Sequence, residues 1–204
     1  MILSNETPKT AVNIKTDEIY CQAVNIENTP DNISKFPHEK YNDLAVIYYF
    51  QEKKEETVTD VPITYNIMEL LGISEPELKS CAWRNTLAKK KAILTPLTEL
   101  VGQSDEDALP LYVLTNDEMR LGAVAIFYPL LLDVIAEEFG RDLCIIPCSI
   151  HECLLMPRSE DFDAEGIRKI IKNINDNIVS EDEILSYNLY RYDRAAKAVT
   201  IDNT

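Results

Sequence analysis

The stretch Asp142-Leu143-Cys144-Ile145-Ile146-Pro147-Cys148-Ser149-Ile150-His151-Glu152-Cys153-Leu154-Leu155-Met156 decides how the rest of the chain is read. DLCII and ECLLM are apolar runs of strand length on either side of a short connection, so the segment is expected to fold as a β-hairpin. Upstream, LPLYVLTN (residues 109–116) reads as a strand, NDEMRLG as a turn, and AVAIFY (residues 123–128) as a second strand or strand end. Pro129 then opens a helix whose Leu131, Val134, Ile135 and Phe139 face inward before Gly140 ends it. Downstream, a helix begins after Asp163 with Ile167, Ile170, Ile171, Ile174 and Ile178 in one stripe of 3.6 periodicity. LSYNLYRYD and AVTI close the chain as an alternating hairpin around a turn at residues 194–197.

The N-terminal half follows the same grammar. Residues 11–27 suggest a strand, a turn and a second strand, and LAVIYYF (residues 44–50) is a continuous apolar run expected at the centre of a sheet, buried on both faces. The charged QEKKEE that follows reads as a solvated hairpin turn, and TVTDVPITY as the returning strand, with Pro62 at an edge or bulge. IMELLG is a short helical segment. Ser74-Glu75-Pro76-Glu77 is a capping box opening a helix that buries Leu78, Cys81, Ala82 and Asn85, with Trp83 covering a neighbouring loop and Lys89, Lys90 and Lys91 at its C-terminus. Hairpins interleaved with helices define an α+β fold: a mainly antiparallel sheet built from hairpins, with about three or four helices packed against it. The expected organisation is a loose tail at residues 1–10, an N-terminal α+β portion at 11–101 and a C-terminal β-β-α-β-β-α-β-β portion at 110–204. The acidic segment VGQSDEDALP joins the two portions into one continuous globular unit.

Composition narrows the function. The 204 residues carry a formal charge of −15, which repels phosphate backbones and anionic lipid surfaces, so neither nucleic acid nor a membrane is an expected partner. The most apolar window, residues 123–136, is too short to span a bilayer and is broken by Pro129 and Asp133. Five cysteines at irregular spacing suit reduced thiols in a cytoplasm better than a disulfide framework. There is no G-x-G-x-x-G and no G-K-[ST], so no nucleotide cofactor is expected.

The hairpin itself holds the densest set of reactive side chains. Cys144, Cys148, His151 and Cys153 form C-x3-C-x2-H-x-C, four residue types that can hold zinc, but the spacing matches no knuckle or ribbon pattern, and no metal is expected. Cys148 and His151 could meet across the turn with Glu152 orienting the imidazole, which would activate a thiolate, yet no oxyanion-hole or nucleophile-elbow pattern accompanies them. Buried thiols acting as small hydrophobes account for Cys21, Cys81, Cys144 and Cys153. His38, in FPHEKYND, has Asp43 close by in sequence as a partner that could orient it or brace a loop.

Taken together, FPHEKYNDLAVIYYF, ITYNIMELLGISEPELKSCAWRNT, LYVLTNDEMRLGAVAIFYPLLLDVIAEEFG, DLCIIPCSIHECLLMP and DEILSYNLYRYDRAAKAV resemble, in order and spacing, an uncharacterised domain family of unknown function abundant in gut Firmicutes. The resemblance covers most of residues 11–201, and members of that family carry a longer N-terminal portion. It implies an origin and no mechanism. The family's hairpin is similar to a P-S-S-I-H-E pattern, which falls on Pro147, Cys148, Ser149, Ile150, His151 and Glu152. Cys148 and Cys153 depart from that pattern, and Ser149, His151 and Glu152 become the catalytic candidates. His38, Asn85, Thr115 and Asn116 are the other matching polar positions and the candidates for binding.

The leading expectation is therefore a non-enzymatic cytoplasmic domain that binds a protein or a small molecule. Its rival is a hydrolase-like or metal-dependent enzyme using His151 and Glu152 with Ser149 or Cys148. A third reading takes the acidity at face value as a nucleic-acid mimic on a basic protein surface.

Overall fold

The computed structural model describes residues 15–29, 31–54, 57–102, 110–159 and 161–203. The expected tail at residues 1–10, the strand preceding Lys15 and most of the acidic segment at 101–110 lie outside the described residues. The fold is α+β with antiparallel strand pairing throughout, and the strands are divided between two sheets.

The first sheet is built on β3 (Leu44–Lys54), which has β1 (Ile19–Asn25) along one edge. Its other edge carries β2 (His38–Tyr41) and then β4 (Thr57–Pro62) in succession. LAVIYYF is thus central, and Leu44, Ala45, Val46, Ile47, Tyr48 and Tyr49 are all buried. The first four residues of QEKKEE extend this strand: β3 continues to Lys54 and pairs with β4 from Thr57, and residues 55–56 of the expected turn lie outside the described residues. Alternating backbone pairing, not side-chain polarity, carries it on.

The helices α1 (Tyr65–Leu71) and α2 (Glu75–Lys89) follow. The capping box forms as the sequence dictates, with Glu77 taking the Ser74 backbone N–H at 2.9 Å. Leu78, Cys81, Ala82, Asn85 and Thr86 are buried, and the Thr86 hydroxyl accepts the Cys21 N–H at 2.8 Å, seating the helix on β1. Trp83 reaches a strand and not a loop: its indole N–H donates to Glu39 of β2 at 2.7 Å. Of the three lysines, Lys90 is buried, lying over the Tyr20 ring and paired with Glu118.

The second sheet runs β10-β9-β7-β8-β6-β5. Its members are β5 (Ala92–Pro96), β6 (Tyr112–Asn116), β7 (Leu143–Ile146), β8 (Cys153–Pro157), β9 (Tyr190–Asp193) and β10 (Ala198–Ile201). The hairpin that opened the sequence reading is its centre. β5, which precedes the acidic segment, pairs with β6 beyond it, so this sheet draws on both halves of the chain. After β5 comes the short α3 (Leu97–Val101), then, beyond β6, α4 (Leu131–Phe139) and α5 (Ala164–Asn177).

AVAIFY is not a strand. Gly122–Phe127 forms a 3-10 turn whose first five residues are buried. A short apolar run buried on all sides carries no period by which strand and helix can be told apart. Val134 is 62% exposed on α4, and Ile170 and Ile178 are exposed on α5, where Ile167, Ile171 and Asn175 take the inner positions. One apolar core unites β1, β3, α2, the 3-10 turn, α4 and the second sheet, while α5 closes a smaller one with Cys144, Ile146, Cys148 and Met156. Among the described residues, no helix is long and apolar enough to cross a membrane.

Candidate functional site

Two of the segments singled out in the sequence, residues 115–123 and 149–152, interlock. Asn116 accepts the N–H groups of Glu118 (3.0 Å) and Arg120 (3.3 Å) and donates to the Arg120 carbonyl at 2.8 Å, folding the loop back on itself. That loop delivers the Leu121 N–H to His151 Nδ1 at 3.0 Å. The His151 carbonyl accepts the Thr115 hydroxyl (2.8 Å) and the Gly122 N–H (3.0 Å). Gly122 is required by close approach: a Cβ there would collide with Thr115 Oγ1 and lie 2.5 Å from Asn116 N and 2.8 Å from the His151 oxygen. Five of the candidates therefore meet, Thr115, Asn116, Ser149, His151 and Glu152, since the hydroxyl of Ser149 accepts the His151 N–H at 3.0 Å and bonds to Glu152.

The polar groups of this turn bond one another and the neighbouring loop. Because Nδ1 accepts a backbone N–H, the neutral ring carries its proton on Nε2, which faces Glu183 Oε1 at 3.3 Å. The Ser149 hydroxyl donates to Glu152 at 2.7 Å, so Glu152 orients the serine and not the imidazole as the sequence suggested. The Ser149 hydroxyl is bonded to Glu152 and to the His151 backbone and not to the imidazole ring. Cys148 turns its thiol toward the Ile146 carbonyl.

The remaining candidates are dispersed. Cys144 faces Met156 across the hairpin and joins the core beneath α5, whereas Cys153 joins the core on the opposite side of the sheet. The hairpin centres on Ile150, so the two thiols never stand opposite one another. Burial pushes the thiols of Cys144 and Cys148 up to about 12 and holds that of Cys153 well above its ordinary value, which suppresses thiolate. His38 lies on the other sheet with Nδ1 2.8 Å from the Phe36 carbonyl. Its expected partner Asp43 accepts instead from Ser186 (2.6 Å), Asn188 (3.0 Å) and the Tyr190 hydroxyl. Asn85 donates to the carbonyls of Thr16 (2.7 Å) and Ile19 (2.9 Å), anchoring the start of β1.

Two larger openings lie away from this turn. A cleft of about 430 Å³ opens between the two sheets where the β2–β3 turn, the entry to α4 and the β9–β10 hairpin converge. Tyr41 stacks on Phe127 with ring centroids 4.4 Å apart at its mouth, and Tyr190, Tyr192 and Val199 lie along it. Its one carboxylate, Asp133, accepts the Tyr192 hydroxyl and has Lys197 at 3.6 Å. Burial first, then the Asp133 hydrogen bond, pushes the Tyr192 phenol up to about 12, so it stays a donor. None of these residues was a candidate in the sequence. The aromatic density of LSYNLYRYD was the available signal, but alternation there reads equally well as a core strand.

The chain matches, over residues 6–194, the model of a family of unknown function, DUF5688, and it belongs to that family. No curated protein and no solved structure matches it.

Proposed function

We propose that this chain is a non-enzymatic binding domain of the reducing cytoplasm and that the cleft between the sheets, not the His151 turn, receives its ligand. The observation that carries the reading is the cleft itself: an opening of about 430 Å³, aromatic along its walls, with a single carboxylate–lysine pair to orient a guest. That size and lining are those of small-molecule sites. Leu130, at its rim, is 71% exposed and holds a left-handed backbone at φ 63°, a conformation costly for leucine that keeps an apolar side chain facing water. The five free, buried thiols are in keeping with a reducing compartment. Residues 11–204 are taken as one unit, in support of which a single core draws on both sheets.

The test is chemical-shift mapping of the isotope-labelled protein with the neutral aromatic probe 4-phenylbutanamide. The reading expects perturbations at Phe127, Leu130, Tyr192 and Lys197. Perturbations centred on residues 149–152 would transfer the site to the turn and revive the enzyme.

A further inference from the structure

A second opening of about 640 Å³ adjoins the aromatic cleft and shares Asp133, Tyr192 and Lys197 with it. Its lining is unlike the rest of this acidic molecule: Arg141, Arg158, Arg194 and Lys197 face it. Two of the three carboxylates lining it, Asp133 and Asp142, are already engaged. Asp142 accepts the Arg191 guanidinium and the Arg194 backbone N–H (3.1 Å), and Asp133 holds Tyr192 and Lys197. Arg158 pairs with Asp202. Among the described residues, Arg141 and Arg194 have no carboxylate partner, and both are exposed on this lobe; Glu137 is the one lining carboxylate in the same condition. Among the lining side chains themselves, the four cations Arg141, Arg158, Arg194 and Lys197 meet the three carboxylates Asp133, Glu137 and Asp142, a surplus of one positive charge.

We propose that the two lobes form one composite site for a small amphipathic carboxylate, its apolar body in the aromatic lobe and its anionic head toward Arg141 and Arg194. The inference rests on the reading of the cleft as the ligand site. Guanidinium forks match a carboxylate bidentately and hold it more tightly than a neutral amide. The Tyr192 hydroxyl–Asp133–Lys197 arrangement at the junction neutralises the carboxylate that a passing anion would otherwise meet. The molecule's net charge of −15 opposes anion binding in general, so a preference for an anion can arise only from this local arrangement.

The experiment compares 4-phenylbutyrate, 4-phenylbutanamide and 4-phenylbutylamine by titration calorimetry on the full chain. The expected order is carboxylate tighter than amide by roughly tenfold, and amide tighter than amine. The Arg141→Gln, Arg194→Gln double variant is expected to bring carboxylate affinity down to that of the amide, erasing the preference. Both side chains are exposed and without carboxylate partners, so the fold is retained, which circular dichroism verifies. Equal affinities, or an amine bound more tightly than the carboxylate, overturn the anionic head while leaving the cleft reading in place. Binding by none of the three overturns both.

Discussion

At the scale of single residues, the turn around His151 makes sharp commitments. Removing the imidazole in His151→Ala leaves the Leu121 N–H without its acceptor in a site where Leu121 is 6% exposed, at an expected cost of about 2 kcal/mol in urea unfolding. His151→Asn places an amide oxygen near the position of Nδ1 and is expected to recover most of that loss. An imidazole with a catalytic role would show no such rescue in stability. Gly122→Ala drives a methyl group into Thr115 and two backbone atoms, and about 3 kcal/mol of destabilisation is expected. A wild-type unfolding midpoint would mean that the two loops are not interlocked as described. The sequence singled out Thr115, Asn116, Ser149, His151 and Glu152 as candidates. Their actual partners, backbone groups for Thr115 and Asn116 and a mixture of backbone and side chains for the rest, were not legible, because the same residue types serve turns and active sites alike.

At the scale of elements, two carboxylates tie the parts together. Glu39 of β2 collects Trp83 from α2, the Tyr48 hydroxyl (3.1 Å) from β3 and Lys79 from α2. Burial opposes its ionisation, but the hydrogen bonds from Lys79, Trp83 and Tyr48 together outweigh it and hold the carboxyl below its ordinary range. A depressed folded-state value contributes stability that is present above the unfolded carboxyl's pKa of about 4.3, and that is lost as pH falls through the folded value. Unfolding midpoints measured from neutral pH down through this range are expected to fall less steeply for Glu39→Gln than for wild type, and identical slopes would remove Glu39 from the account. Asp43 does the corresponding work between the sheets. Asp43→Ala strands the buried hydroxyls of Ser186 and Tyr190 and is expected to cost about 3 kcal/mol. Most element types were legible from period and caps: β3 from its apolar run, α2 from its capping box, the β7–β8 hairpin from its flanks. The 3-10 turn at Gly122–Phe127 and the strand β5 were not. The first is fixed by burial on all sides and the second, an edge strand with no buried residue, by its pairing with β6; the local pattern of each is ambiguous.

At the scale of the whole molecule, the thiols report on the core. All five cysteines are free and buried, so a disulfide-exchange reagent is expected to react slowly with native protein and with five thiols once it is unfolded. Rapid reaction of one thiol in the native state would instead mark Cys81 or Cys148, the least covered of the five, as accessible in solution. The division of strands into two sheets has a structural consequence that no single segment carries. Tyr41 and Phe127 on one wall, and Tyr192 and Lys197 on the other, come from segments far apart in sequence, and topology alone makes them neighbours. The cleft was therefore invisible to motif reading, whereas the turn, being local, was conspicuous. The measurement that bears most directly on this account is a crystal structure of the protein with 4-phenylbutyrate bound. The account predicts the ring against Phe127 and Tyr192 with the carboxylate directed at Arg194. Ligand seated on Ser149, His151 and Glu152, with the cleft empty, would contradict it.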